Sequence, residues 1–106
     1  MIVVSVKFAI SQFRNRQALA EDFANISGMF MDIPGLMRKY FVISEAEDSA
    51  GGIYMWESRA AAEACFTENF RLIIEERYGG PPEITYFDCP VVIDNQFHYE
   101  FYDLAA

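Results

Sequence analysis

Lysine is nearly missing from this chain. Lys7 and Lys39 are the only two, and eight lysines and arginines stand against sixteen aspartates and glutamates, for a formal net charge of −8. Nucleic-acid binding needs basic patches that displace condensed counterions, and no such run occurs. A surface of this sign is also repelled by anionic lipid. The two cysteines, Cys65 and Cys89, lie far apart and form no Cys-x-x-Cys, and His98 is the sole histidine. A structural zinc site takes about four thiolate or imidazole ligands, so the donors for one are lacking. The thiols read as two buried free cysteines in a reducing cytoplasm. Glycine-rich phosphate loops, a nucleophile elbow and a Cys–His pair at recognisable spacing are absent too. Any reaction here is expected to run without metal and without the common cofactors. The opening MIVVSVKFAI is apolar but has no basic leader or cleavage site. It is too short to span a bilayer, and reads as a cytoplasmic first strand.

Apolar and aromatic residues are plentiful. Of 106 residues, 53% are hydrophobic and 16% aromatic, enough for one domain with a packed core. Ile2 to Ala9 alternates as a strand, with Ile2, Val4, Val6 and Phe8 on one face. Ser11 to Arg14 is a polar break. From Asn15 to Asp32 the period turns helical, with Leu19, Phe23, Ile26 and Phe30 on one stripe. Pro34 and Gly35 stop it. Leu36 to Ser44 and Gly51 to Glu57 form an antiparallel pair around the solvated turn EAEDSA. Ser58 caps a second helix whose stripe is Ala62, Phe66, Phe70 and Ile73, and which ends at Arg77 and Gly79. Glu83 to Cys89 is a fourth strand, with Val91 to Ile93 continuing it past a kink at Pro90.

The order β-α-β-β-α-β predicts an α+β, ferredoxin-like sandwich over residues 1–93, followed by a tail over 94–106. Right-handed crossovers put both helices on one face and order the strands 4-1-3-2. The other face does not alternate cleanly to polar. Strand two offers Leu36, Tyr40 and Val42 to one side and Met37, Phe41 and Ile43 to the other. Strand three sets Ile53 and Met55 against Tyr54 and Trp56. An uncovered apolar face of that extent predicts a homodimer with the two sheets face to face. The tail, NQFHYEFYDLAA, alternates aromatic and polar and is long enough to reach the partner.

The run P-G-L-x-x-K-Y (Pro34 to Tyr40), the acidic loop, G-G-I-Y (Gly51 to Tyr54), the alanine-rich helix opening and the Phe87-Asp88 pair resemble the YdhR-like monooxygenases. These belong to the dimeric α/β-barrel superfamily that includes the antibiotic-biosynthesis monooxygenases. The likeness spans roughly Met1 to Asp88 and does not reach the tail. It implies a homodimer with a pocket between sheet and helices. It also implies oxygenation of a phenolic or polycyclic aromatic compound without metal, flavin or haem. Better-characterised relatives use an Asn, a Trp and an Arg around the substrate. Trp56 and Arg38 have that chemistry here, and no asparagine falls in a predicted strand. Haem-degrading relatives use a helix-borne histidine, whereas His98 lies in the tail.

Each candidate has a plain alternative. Lys39 can be the cation beside an anionic oxygen, or an edge-strand lysine that deters sheet-to-sheet aggregation. Arg38 points the other way and can stabilise a phenolate or pair with Glu57. Tyr54 and Trp56 share a face and can hold a flat ring, or simply be core. Tyr54, Arg38 and Lys39 are the catalytic candidates. Tyr40, Trp56 and Phe23 are the substrate-binding ones. Lys7 reads as a charge snorkelling to the sheet's end or pairing with Asp88. His98 reads as a surface or interface residue, and Glu45, Glu47 and Asp48 as solvated loop carboxylates. The leading expectation is a cofactor-independent monooxygenase of an aromatic small molecule. A non-catalytic small-molecule-binding homodimer and an isomerase or cyclase on the same scaffold are the alternatives.

Overall fold

A computed structural model describes residues 1–10 and 15–104. The polar break expected over Ser11 to Arg14 and the last two residues of the tail lie outside them. Strand β1 (Ile2–Ala9) sits inside a four-stranded sheet because its alternation gives it one fully apolar side: Val4, Val6 and Phe8 are buried. It pairs antiparallel with β3 (Ser49–Trp56) and with β4 (Glu83–Asp88), and β2 (Leu36–Ile43) lies outside β3. The order β2-β3-β1-β4 is the one the chain pattern predicts. Lys7 falls opposite Glu83, while Asp88 falls opposite Ile2, so the register separates Lys7 from Asp88.

Helix α1 (Arg16–Ile26) begins where the Asn15 side chain accepts from the Ala18 N–H. Its stripe buries Leu19 and Phe23 against Phe8, Ala50 and Tyr78. The helical segment is shorter than expected. It tightens into a 3₁₀ turn at Ser27–Phe30, where the Ser27 hydroxyl donates back to the Ala24 carbonyl. Side-chain oxygens that bond the preceding turn loosen a helix at that point.

The second helix is two helices. α2 (Arg59–Cys65), capped by Ser58, stops at Phe66, and Thr67 caps a fresh start for α3 (Glu68–Tyr78). This break shifts the phase of the apolar stripe. Ala62 is buried and Phe66 and Phe70 pack on the core as expected, but Ile73 is 48% exposed and Ile74 takes its place. Asp22 on α1 accepts hydrogen bonds from Arg77 and from the Tyr78 hydroxyl, tying α1 to the end of α3.

Two further expectations change. Val91 does not continue β4: β5 (Val91–Asp94) pairs with β6 (Tyr99–Tyr102) in a separate two-stranded hairpin. Pro90 cannot donate to a ladder, which ends the main sheet there. The faces of β2 also differ from simple alternation. The register slips between Leu36 and Arg38, so Leu36, Lys39, Phe41 and Ile43 face β3 residues that point toward the helices. One extra residue in a strand reverses every side chain on one side of it. Met37, Arg38 and Tyr40 end on the open side together.

Candidate functional site

The bulge in β2 decides where the strand's cation goes. β2 is the edge strand, as expected, but Lys39 does not guard the edge. Its side chain turns inward across β3 and places Nζ 3.1 Å from the ring centre of Phe30, 3.9 Å from Phe41 and 4.5 Å from Tyr54. Gly52 makes room for it. A Cβ there would lie 2.9 Å from Lys39 Cε and 2.8 Å from the Tyr54 ring. On sequence grounds Gly51 and Gly52 look like the opening of a strand; in the fold they lie inside β3, and the missing side chain is what admits the lysine.

No carboxylate or hydrogen-bond acceptor among the described residues partners the Lys39 amine. Removal from water pushes it down to about 7. The ring faces act in the opposite sense, since each attracts the ammonium. The Tyr54 phenol and the Cys65 thiol, both nearby, are pushed up chiefly by burial, and so stay protonated at neutral pH.

Behind the lysine stands an aromatic stack. Tyr54 and Trp56 are parallel, 6.1 Å apart, and the Phe66 ring meets both edge-on at 4.9 and 5.6 Å. Trp56 is completely buried and its Nε1–H meets no acceptor among the described residues. Such an orphan donor carries a desolvation cost of about 1–3 kcal/mol. Phe23 closes the far side, 5.2 Å from Phe41 and 6.2 Å from Tyr78. The space inside is small. A void of about 20 Å³ touches Phe23, Lys39, Tyr54 and Tyr78. Lys39 also lines a surface groove of about 460 Å³ with Ser27, Phe30, Met31, Asp32 and Leu36, so its side chain spans from groove to interior.

Arg38 and Tyr40 are elsewhere. They occupy the open side of the sheet, in a cleft of about 530 Å³ between Met55 and the β5–β6 hairpin. There Arg38 donates to the Tyr40 hydroxyl at 2.9 Å and pairs with Asp94 at 3.7 Å, not with Glu57. The six candidates are therefore divided by the sheet: Phe23, Lys39, Tyr54 and Trp56 on the helix side, Arg38 and Tyr40 on the other. Sequence reasoning missed Phe30 as a cage wall, although it lay on an apolar stripe, whereas Phe41 follows Lys39 by two residues on the same face of β2, as strand alternation expects. Glu47 is exposed, as expected of a loop carboxylate, and it also accepts from the Arg16 N–H at the start of α1. Cys65 and Cys89 are free thiols and only half-buried. Among the described residues no group of three or more His, Cys, Asp or Glu is placed to hold a metal ion. None of the described helices is long and apolar enough to cross a membrane.

Solved structures share this architecture. A protein described as a putative antibiotic biosynthesis monooxygenase from Deinococcus radiodurans superposes with a TM-score of 0.67 at 10% identity, covering 89% of this chain and 97% of that one. The monooxygenase from the gene ActVA-Orf6 of Streptomyces coelicolor, solved with the ligand Nanaomycin D, gives 0.66 at 18% identity, with 88% and 90% covered. Rv0793 from Mycobacterium tuberculosis gives 0.59 at 16%, with 89% and 97% covered. At these identities the likeness is one of fold. No curated protein matches the chain in sequence. The family model described as "Putative mono-oxygenase ydhR" matches residues 2–79, which carry the whole lysine cage and the strands that build it. The chain thus belongs to the YdhR mono-oxygenase family.

Proposed function

We infer that the protein is a cofactor-independent monooxygenase of a phenolic or polycyclic aromatic compound, with its reaction centre on the helix side of the sheet. The carrying observation is the Lys39 amine, held among three ring faces with no counter-ion. A flat anionic substrate would supply what this site lacks. Its oxygen would face the lysine and its ring plane would lie against Tyr54, which lines the void, with Trp56 stacked behind Tyr54. The similar monooxygenase from Streptomyces coelicolor was solved with the ligand Nanaomycin D on the same fold.

The chemistry follows from electron count. A phenol with a free para C–H plus dioxygen gives a para-quinone plus water, and the substrate supplies all the electrons. The phenolate is the electron donor, so what the protein must provide is a water-poor pocket, orientation and a nearby positive charge. Lys39 supplies the charge, Tyr54 and Phe23 provide the apolar walls, and Trp56 backs Tyr54. Entry is through the groove beside Phe30 and Met31, which Lys39 also lines.

The same reading includes a cytoplasmic homodimer. On the open side Met37, Tyr40, Val42 and Phe87 are between 39 and 51% exposed, and a second sheet would cover them. Arg38 and Tyr40 would then act from a cleft at that interface. The test is oxygen uptake by chelator-treated protein supplied with polycyclic phenols. Uptake equal to substrate consumed, reduced at least tenfold in Lys39→Met, supports the reading. Oxygen uptake at the rate of the protein-free control sinks it.

A further inference from the structure

We propose that Lys39 is the proton acceptor of the site: an acidic phenol or enol enters from the groove, passes its hydroxyl proton to the Lys39 amine, and stays as the anion beside the ammonium so formed. This rests on the phenolic reading of the site above and deepens it. The step moves one proton and no electrons: ArOH plus the amine become ArO⁻ plus the ammonium.

Geometry carries the inference. A charged lysine presents three donors, and nothing among the described residues accepts from this one. An uncharged lysine presents a lone pair instead, and Lys39 lines both the interior void and the groove from which a hydroxyl would approach. Tyr54 on β3 and Cys65 on α2 are protonated at neutral pH by burial. Tyr78 on α3, which touches the void, is likewise pushed up, chiefly by burial. Asp32 and Arg38 line the outer groove but not the void, Arg38 is paired with Asp94 in the open-side cleft, and neither forms an ion pair with Lys39. Neither Phe23 on α1 nor Phe30 and Phe41 brings a charge. The amine is thus the strongest base in the pocket.

The rings give the step a direction. Burial disfavours the ammonium in the empty site and brings the amine to about 7. Once the proton has moved, ammonium and phenolate neutralise one another, and the ring faces of Phe30, Phe41 and Tyr54 favour the new cation. A permanent cation would need no such transfer and would carry its desolvation cost at all times.

The probe is 2-naphthol at about pH 8, where it is mostly the neutral phenol and its anion absorbs at longer wavelength. Absorbance reports which form is bound, and calorimetry in two buffers of different ionisation enthalpy counts protons released. The proposal expects bound anion with no proton released. Affinity should be level from about pH 7 up to the phenol's own ionisation at about pH 10, and fall tenfold for each pH unit below 7. Lys39→Arg, a cation that cannot take the proton, should bind the anion while releasing one proton per site. Lys39→Met should bind only the neutral form. One proton released by the unaltered protein, a bound neutral naphthol, no binding, or a Lys39→Arg variant that behaves like the parent would each overturn it. Oxygen is not involved, so failed oxygen uptake with intact proton capture counts against the monooxygenase reading alone. The reverse result counts against this inference alone.

Discussion

Lys39 shows how one side chain can be costly to the fold and still be the group on which a site depends. Because its folded value lies below the unfolded one near 10.4, the unfolded chain binds the extra proton between about pH 7 and that value. Stability from this residue therefore rises with pH across that window. Cys65 and Tyr54 act oppositely at higher pH, since their folded values are raised and the unfolded chain ionises first. The difference between parent and Lys39→Met isolates the lysine. In urea unfolding, Lys39→Met should be more stable at pH 6 by about 1–3 kcal/mol, after the rings have offset part of the burial penalty. The gain should shrink toward pH 10. Gly52→Ala tests the space that admits the lysine stem: overpacking there should cost about 1–3 kcal/mol and weaken the 2-naphthol binding with it. Lysine scarcity made Lys39 noticeable in the sequence. Its cage was hidden, because Phe30, Phe41 and Tyr54 come from three elements and meet only after the sheet has formed.

At the level of elements, local signals served well where a cap or a pattern was strong. Ser58 caps α2 by accepting from Ala61 N, and Gly79 closes α3 in the left-handed region at φ 87°. Periodicity alone failed where an interruption left the apolar spacing intact. Ala62, Phe66 and Phe70 are four apart, so one helix and two read alike until Thr67 is seen to cap the second. Thr67→Ala should lower stability by about 1 kcal/mol in thermal unfolding, with α3 exchanging its amides faster than α2. The β2 bulge is the more consequential miss. Strict alternation put Met37 with Phe41 and grouped Leu36 with Tyr40, and the slip at Leu36/Arg38 undoes both pairings. Nothing in the residue types near Arg38 demands a bulge. It arises because it allows Leu36 to pack on Trp56's side while Lys39 still enters the cage.

For the whole molecule the open side of the sheet is the outstanding feature. Ile53 and Met55 on β3 share that side with Val3, Tyr40, Val42 and Phe87, and the β5–β6 hairpin stands beside Arg38 and Tyr40. A two-fold copy is the proposed cover. Sedimentation velocity at micromolar concentration should give a dimer, and Ile53→Glu, a charge in the middle of that face, should give a monomer with unchanged far-ultraviolet dichroism. A parent chain sedimenting as a monomer would remove the dimer from the proposal while leaving the helix-side site as it is.

Strand alternation, helix period and turn chemistry are local, so the succession of the four sheet strands and the helical segments between them, the strand order and the buried side of β1 could be read from the residues in line. Membership of the ferredoxin-like class followed from that order through chain handedness. The side of the sheet to which a given β2 residue points, the break at Phe66, and the company Lys39 keeps depend on packing between segments distant in the chain. A single-residue slip costs little locally but reverses a face. That is why Lys39 could be picked out in the chain, while only the assembled sheet and helices turned it from an edge charge into a buried amine.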